Sequence, residues 1–226
     1  MKITLADLCV HVAHYTPLRE RRARLERNLA GIGVSASWFT DYDRERLTPE
    51  TWERYYRRDD DLWHQKTKTH TFVPARAIRS AELSLAIKHV EIYRHIRDHG
   101  EPWALVLEDD VLLAPDFGGR FDEYFADAPD DFDFIFLGSG CNLRISDPSP
   151  DRRFYPKEPP VAKCTDSYLL TRTAAQRLLT SIVPVTLPID FELSYQMQLH
   201  GMKVYWLEPP LITQGSQNGT YESAVQ

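Results

Sequence analysis

The stretch WALVLEDDVLL, Trp103 to Leu113, lies almost at the centre of a 226-residue chain. A short apolar run, Ala104 to Leu107, ends in three consecutive carboxylates, Glu108, Asp109 and Asp110, and an apolar run resumes at Val111. The run reads as a buried strand that delivers three negative charges at its tip. In an extended strand Glu108 and Asp110 point to one side and Asp109 to the other. Carboxylates this close repel one another, and hard cations such as Mg²⁺ and Mn²⁺, which prefer oxygen ligands, relieve that repulsion. A cation held there is in turn suited to bind phosphate oxygens. A solvated acidic turn is the plain alternative for such a triplet.

Working outward, strands alternate with helices. TLADLCVHV reads as the first strand. HYTP opens a helix with Thr16 as N-cap and Pro17 at its first position. LRERRARLERNLAGIG carries Leu18, Arg22, Leu25, Leu29 and Ile32 on one stripe, with Gly33 near its end. ASWFTDYD reads as a second strand entering an acidic loop. Residues 44–74 are polar, aromatic and irregular, and read as helical turns and a mobile loop. SAELSLAIKHVEIYRHIRDHG is the clearest helix, capped by Ser80 and ended by Gly100, with Ser84, Lys88, Glu91, His95 and Asp98 on one exposed polar stripe. After the acidic tip come a buried strand in DFDFIFLGS, a loop over 142–162, a strand in SYLL, a helix in TRTAAQRLLTSI capped by Thr171 or Thr173, a helix opening at Asp190, the strand KVYWL and an extended tail. This alternation predicts an α/β fold. In such sheets ligands bind beyond the carboxyl ends of the strands, where the acidic tip lies.

The length suits one domain spanning residues 1–226. Hydrophobic residues at 42% and charged residues at 27% describe a globular chain, and a formal net charge of −6 excludes nucleic-acid binding driven by global charge. Cys9, Cys141 and Cys164 are scattered and show no zinc-ligand spacing, so they read as buried, reduced thiols of a cytoplasmic protein. The N-terminal segment is interrupted by Asp7, His11 and His14 and reads poorly as a signal peptide. No apolar run approaches the roughly 20 residues that span a bilayer, so a lipid-borne substrate would be met from the membrane surface, at its inner face.

Several further residues carry chemistry in one reading and structure in another. Arg22, on an apolar stripe, either pairs with an internal carboxylate or reaches a phosphate, because an unpartnered buried guanidinium is costly. Arg21 reads as a solvated neighbour. The arginine-rich face of that helix suits plain solvation or peripheral contact with an anionic membrane. Glu82 and His89 lie two turns apart on one side of the central helix, placed to bond within the core or to line a pocket. Asp190 follows Pro188 and is an N-cap or a catalytic carboxylate, and Glu192 is its rival as the base. VLEDD also opens receiver domains of two-component signalling. Those need an aspartate at the end of a later strand, where this chain has Leu137, Gly138 and Ser139, and a lysine where it has LEPP.

Taken together, RERRARLERNLAGIGV, SWFTDYDRE, ELSLAIKH, ALVLEDDV, DSYLLTRTAAQRLL, LPIDFEL and PPLITQGS form an ordered set that resembles glycosyltransferase family 25. That family includes lipopolysaccharide galactosyltransferases and collagen-modifying galactosyltransferases. Leu85 and Lys88 stand where the family has cysteine and serine, and Asp59 to Thr71 matches nothing in its pattern. The resemblance implies a GT-A-like, Rossmann-related fold with a mixed central sheet flanked by helices. It implies an inverting hexosyltransferase that uses UDP-galactose or UDP-glucose, with Mn²⁺ or Mg²⁺ as cofactor. The acceptor would be a saccharide or glycolipid of a surface glycan, or, in a second version, a protein side chain. By the resemblance Asp110 is the first metal ligand with Glu108 beside it. Arg21, Arg22, Glu82, His89, Glu108 and Asp109 would bind the donor, and Asp190 or Glu192 would act as base. A non-catalytic nucleotide-sugar binder of the same fold is the alternative from another class.

Overall fold

The computed structural model describes residues 3–68 and 74–224. A seven-stranded sheet forms its centre. Its strands are β1 (Cys9–Ala13), β2 (Ala36–Phe39), β3 (Trp103–Glu108), β5 (Phe134–Phe136), β6 (Phe154–Pro156), β7 (Ser167–Thr171) and β8 (Val204–Leu207), in the order β2-β1-β3-β7-β5-β8-β6. β1, β2, β3, β5 and β8 run one way, whereas β7 and the edge strand β6 run against them. The sheet is therefore mixed, as expected. Val10, Val12, Leu105 and Leu107 pack on one face against α1 (Arg19–Gly31) and α5 (Phe117–Phe125). Ala13, Ala104, Val106 and Tyr168 face the other side, towards α4 (Ser80–His99), α6 (Arg172–Leu178) and α7 (Ile189–Leu199). This two-sided burial is why β3 reads as a continuous apolar run rather than an alternating one. Each fully buried leucine stabilises by about 1.5–3 kcal/mol, and that anchorage offsets the repulsion at the strand's acidic end.

The antiparallel β7 does most to shape the surroundings of the acidic tip. Its start lies beside the end of β3, where Leu107 pairs with Ser167 and the Glu108 N–H donates to the Asp166 carbonyl at 2.9 Å. A two-stranded sheet of β4 (Val111–Leu113) and β9 (Ile212–Gln214) then pairs Val111 with Gln214 and brings the tail to the acidic tip. There the Gly215 N–H donates to the Asp110 carbonyl at 2.8 Å. Glycine is required at that approach, because an added Cβ would lie 2.7 Å from the Asp110 carbonyl oxygen and 2.5 Å from the Tyr221 ring.

Some local expectations change. The first helix begins at Arg19 rather than at Pro17, with Thr16 held instead by the Thr40 carbonyl and Asp43. Residues 44–68 hold α2 (Pro49–Tyr55) and α3 (Asp60–Lys66), whose Tyr55 and Trp63 are buried, so this segment is packed rather than a free loop. Part of the expected loop, 69–73, lies outside the described residues. Thr171 caps α6 by accepting from the Ala174 N–H at 3.1 Å. Pro188, not Asp190, occupies the N-cap position of α7. Lys88 is buried rather than exposed, donating to Asp43 and to the His14 carbonyl, each at 2.6 Å. Cys141 is exposed, and Cys9 and Cys164 are half-buried; all three are free thiols. No helix among the described residues is long and apolar enough to cross a membrane.

Candidate functional site

A cavity of about 300 Å³ opens beyond the carboxyl ends of β1 and β3. Its floor is the acidic tip, its walls are the start of α4 and the start of α7, and the tail crosses its mouth at Ser223 and Ala224. The three tip carboxylates differ sharply. Asp109 is saturated: its Oδ2 accepts from His14 Nδ1 at 2.8 Å and the Tyr15 N–H at 3.0 Å, and its Oδ1 from Arg21 at 3.1 Å. Glu108 accepts from the Thr165 hydroxyl at 2.7 Å and lies 3.8 Å from His89 Nε2. Asp110 is 4% exposed, yet its Oδ1 has no partner and its Oδ2 has only a long bond of 3.4 Å from the Ser216 N–H. Burial, then the Glu108 charge, push the Asp110 carboxyl up to about 6.

Asp166, fully buried at the start of β7, adds a fourth carboxyl. Burial, followed by the charges of Glu108 and Asp110, raises it well above the usual carboxylate range, and its Oδ1 also lacks a partner. It fits only because Gly138 and Gly140 lack side chains: a Cβ at either would lie 2.0 Å and 2.6 Å from its carboxylate oxygens. Unpartnered buried carboxylate oxygens are costly, and a hard cation satisfies them. The donor set at the tip therefore fits Mg²⁺ or Mn²⁺. Among the described residues no three of these carboxylates form a ready ligand cluster.

The sequence places the helix arginines one residue out of phase. Arg21 is the buried one, lines the cavity and is held by Asp109 and the Glu222 carbonyl. Arg22 lies outside the cavity, with a side chain 41% exposed that pairs with Glu26 at 2.8 Å and covers Trp38. The buried stripe of α1 runs through Arg21, Leu25 and Leu29, the four-residue spacing of the two buried leucines carried back one turn. Glu82 lines the cavity, but its partner is Arg76, at 2.6 and 2.7 Å, together with the Arg79 N–H. Burial raises its pKa, but these bonds outweigh burial and hold Glu82 below the usual range. His89 is fully buried behind the cavity wall, with Nδ1 on the Tyr168 hydroxyl at 2.7 Å and Nε2 without a hydrogen-bond partner 3.8 Å from Glu108, and does not line the cavity.

Asp190 and Glu192 separate in the same way. Glu192 is fully buried and turned inward, bonded to Lys66 at 2.6 and 2.8 Å, to the Thr186 N–H at 3.0 Å and to Gln196 at 3.0 Å. It does not reach the cavity, and its carboxylate is consumed by a core ion pair. Asp190 lines the cavity and accepts from the Phe191 N–H at 3.0 Å. Burial pushes its carboxyl up to about 6; the Phe191 N–H opposes this and the Glu108 charge adds to it. Burial thus prevails over the preference of a helix start for a charged carboxylate.

Arg44 and Arg76, which the sequence does not single out, stand on the cavity wall. Arg44 is shared between Glu45 and the Ala224 carbonyl. Both come from irregular segments in which no periodicity marks a facing side. DYDRERL and PARAIRS show only that cations flank acidic or capping residues.

The chain matches the sequence pattern of glycosyltransferase family 25 (LPS biosynthesis protein) over residues 16–193. That stretch includes Arg21, the acidic tip and Asp190. No curated protein sequence matches it. Among solved structures it resembles a glycosyltransferase involved in the glycosylation of the major capsid of PBCV-1, at 10% identity and a TM-score of 0.47, covering 92% of this chain and 93% of that one. It also resembles the apo form of mouse xyloside xylosyltransferase 1, at 12% identity and a TM-score of 0.39, covering 96% and 91%. A third likeness, to A197 from STIV, has 10% identity and a TM-score of 0.43, covering 91% and 83%. Likenesses at these scores carry no weight in the assignment. The family match spans more than three quarters of the sequence and takes in the acidic floor of the cavity and the starts of α4 and α7 beside it, so the chain belongs to glycosyltransferase family 25.

Proposed function

We propose that the chain transfers galactose or glucose from a UDP-sugar to a hydroxyl of a saccharide or glycolipid acceptor, with inversion, in the synthesis of lipopolysaccharide or another surface glycan. The observation that carries the reading is Asp110: a buried carboxylate with an unpartnered oxygen, on the floor of a cavity bordered by arginines. Asp110 and Glu108 would hold Mn²⁺ or Mg²⁺, which when bound stabilises the charge that develops on the departing diphosphate. Arg44 and Arg76 face the same space and would meet an anionic donor there; Arg44, bonded to Glu45 and the Ala224 carbonyl, and Arg76, bonded to Glu82, keep further N–H groups for phosphate oxygens. Asp109 positions Arg21 and the His14–Tyr15 turn rather than meeting the sugar itself.

Asp190 is the proposed base. It takes the acceptor hydroxyl's proton as that oxygen bonds to the anomeric carbon and the bond from that carbon to the diphosphate breaks. A carboxyl with a pKa of about 6 is mostly ionised at pH 7 and is a stronger base than a free aspartate. We place the work in the cytoplasm, with a lipid-borne acceptor met at the inner membrane surface.

Release of UDP from UDP-galactose and UDP-glucose in Mn²⁺, with and without saccharide acceptors, tests the reading. A transferase hydrolyses one donor slowly and releases UDP faster with the right acceptor. A non-catalytic binder releases none under either condition.

A further inference from the structure

At the opposite end of α4 from the cavity, the structure gathers His11, His95 and Glu101 so that one ligand atom from each lies within 4.8 Å of the others. Among the described residues this is the one such group of three. The three come from different elements. His11 stands mid-strand in β1 and faces α4, His95 comes from the polar stripe of α4, and Glu101 follows the left-handed turn at Gly100 that leads into β3. None of them serves the proposed transfer.

The group is poorly explained as a closed ion pair. His11 Nε2 lies 2.7 Å from Glu101 Oε2, and His95 Nε2 stays 3.7 Å from Oε1, beyond hydrogen-bond reach. His11 is 2% exposed, and its Nδ1 is buried with no partner. Whichever ring nitrogen carries the proton, the buried Nδ1 of His11 is left unsatisfied. Phe39 packs edge-on against both imidazoles, with ring centroids 5.7 Å from His11 and 5.5 Å from His95, and the two imidazoles meet edge to face with centroids 4.8 Å apart. A cleft of about 500 Å³ runs along Phe39, His95 and His99 and gives an entry path.

We infer that His11, His95 and Glu101 form a second metal site, a His₂Glu site for Zn²⁺, separate from the acidic tip. Two imidazoles and a carboxylate are the ligand types of borderline divalent metals, whereas Mg²⁺ and Ca²⁺ prefer oxygen alone. Zn²⁺ takes such ligands at about 2.0–2.2 Å, which sets tetrahedral ligand atoms about 3.4 Å apart, so the site closes by up to roughly 1.5 Å. His95 and Glu101 are partly exposed and near a helix end, and they supply that movement, while water takes the fourth position. The ion clips the end of α4 and its turn onto β1.

The test is titration of Zn²⁺ into EDTA-stripped full-length protein, followed by calorimetry and by thermal melting. The same titration is run on His95→Ala, Glu101→Gln and Asp110→Asn. His95 is chosen because its side chain is 28% exposed, so its loss leaves the core intact. The expected result is one Zn²⁺ that raises the melting temperature of the parent and of Asp110→Asn. Affinity should be at least about 100-fold weaker in His95→Ala and Glu101→Gln, since even outer-shell changes cost 10–100-fold. Co²⁺ in place of Zn²⁺ should give the visible absorption of a four-coordinate site, lost in His95→Ala. No Zn²⁺ binding, binding undiminished in His95→Ala and Glu101→Gln, or binding abolished only by Asp110→Asn would each overturn the Zn²⁺ site. That site does not depend on the sugar-transfer reading, and neither failure implies the other.

Discussion

The tip of β3 and the start of α7 each hold a pair of neighbouring carboxylates, Asp109 with Asp110 and Asp190 with Glu192, and each treats its two members oppositely. Asp109 is bonded by His14, Tyr15 and Arg21, and Glu192 by Lys66, Thr186 and Gln196. Their neighbours Asp110 and Asp190 are left short of donors, and both carboxyls are pushed up to about 6. The saturated member of each pair ties elements together. The under-partnered member faces the cavity with electrostatic stress that a ligand relieves. Position in a motif does not separate these roles; the partners do.

The largest expected effect falls on Asp190. Asp190→Asn should lower transfer by about 10²–10⁴-fold while leaving donor binding close to the parent's and the melting temperature at or above it, since the variant removes a carboxyl that burial pushes up to about 6. Steady-state rates beside UDP affinity check this. With the parent, the rate should fall as pH drops through about 6, where Asp190 and Asp110 take up protons. Near-normal turnover in Asp190→Asn would erase the distinction between the pairs at α7.

Glu192→Gln should do the reverse, because it leaves the Lys66 ammonium buried with its charge uncompensated. Breaking one side of such a pair costs about 3–5 kcal/mol, seen as a lowered denaturation midpoint. If Glu192→Gln instead keeps its stability and loses only turnover, the base is Glu192 and the comparison is inverted. Arg22→Met marks the small end of the scale. Its exposed pair with Glu26 contributes about 0.3–0.5 kcal/mol, so stability and UDP affinity should both stay within error. A marked loss of UDP affinity would put Arg22 back at the donor.

Much of this arrangement is legible in the sequence where one local pattern decides it. The unbroken apolar run before Glu108 requires a strand buried on both faces, and the long periodicity of α4 ends at a glycine that can adopt φ 76°. Asp190 after Pro188 reads as a helix start, and the cavity wall is built there. What is hidden depends on contacts distant in sequence. The choice between Arg21 and Arg22 turns on helix phase against the sheet, which two adjacent arginines do not reveal. Asp166, which opens DSYLL, draws no role from the sequence, because only the antiparallel insertion of β7 sets it beside Glu108. Glu192 looks like a second base until α3, from a stretch with no clear pattern, brings Lys66 to it. The His₂Glu group is scattered over Cys9–Ala13, α4 and the turn after it, with no ligand spacing to announce it.

The central claim, that Asp110 is left under-partnered for a cation and a diphosphate, is tested most directly by thermal melting of the parent and Asp110→Asn at pH 8, with and without Mn²⁺ and UDP. A carboxyl raised from 3.8 to about 6 contributes its stability below the lower value and loses it as pH rises through the higher one. At pH 8 the ionised, buried Asp110 therefore costs the ligand-free protein up to about 3 kcal/mol. The account predicts that Asp110→Asn melts higher than the parent without ligand, that this advantage shrinks towards pH 4, and that the shift produced by Mn²⁺ and UDP is lost. A variant that melts lower without ligand and keeps the full Mn²⁺ and UDP shift would contradict it.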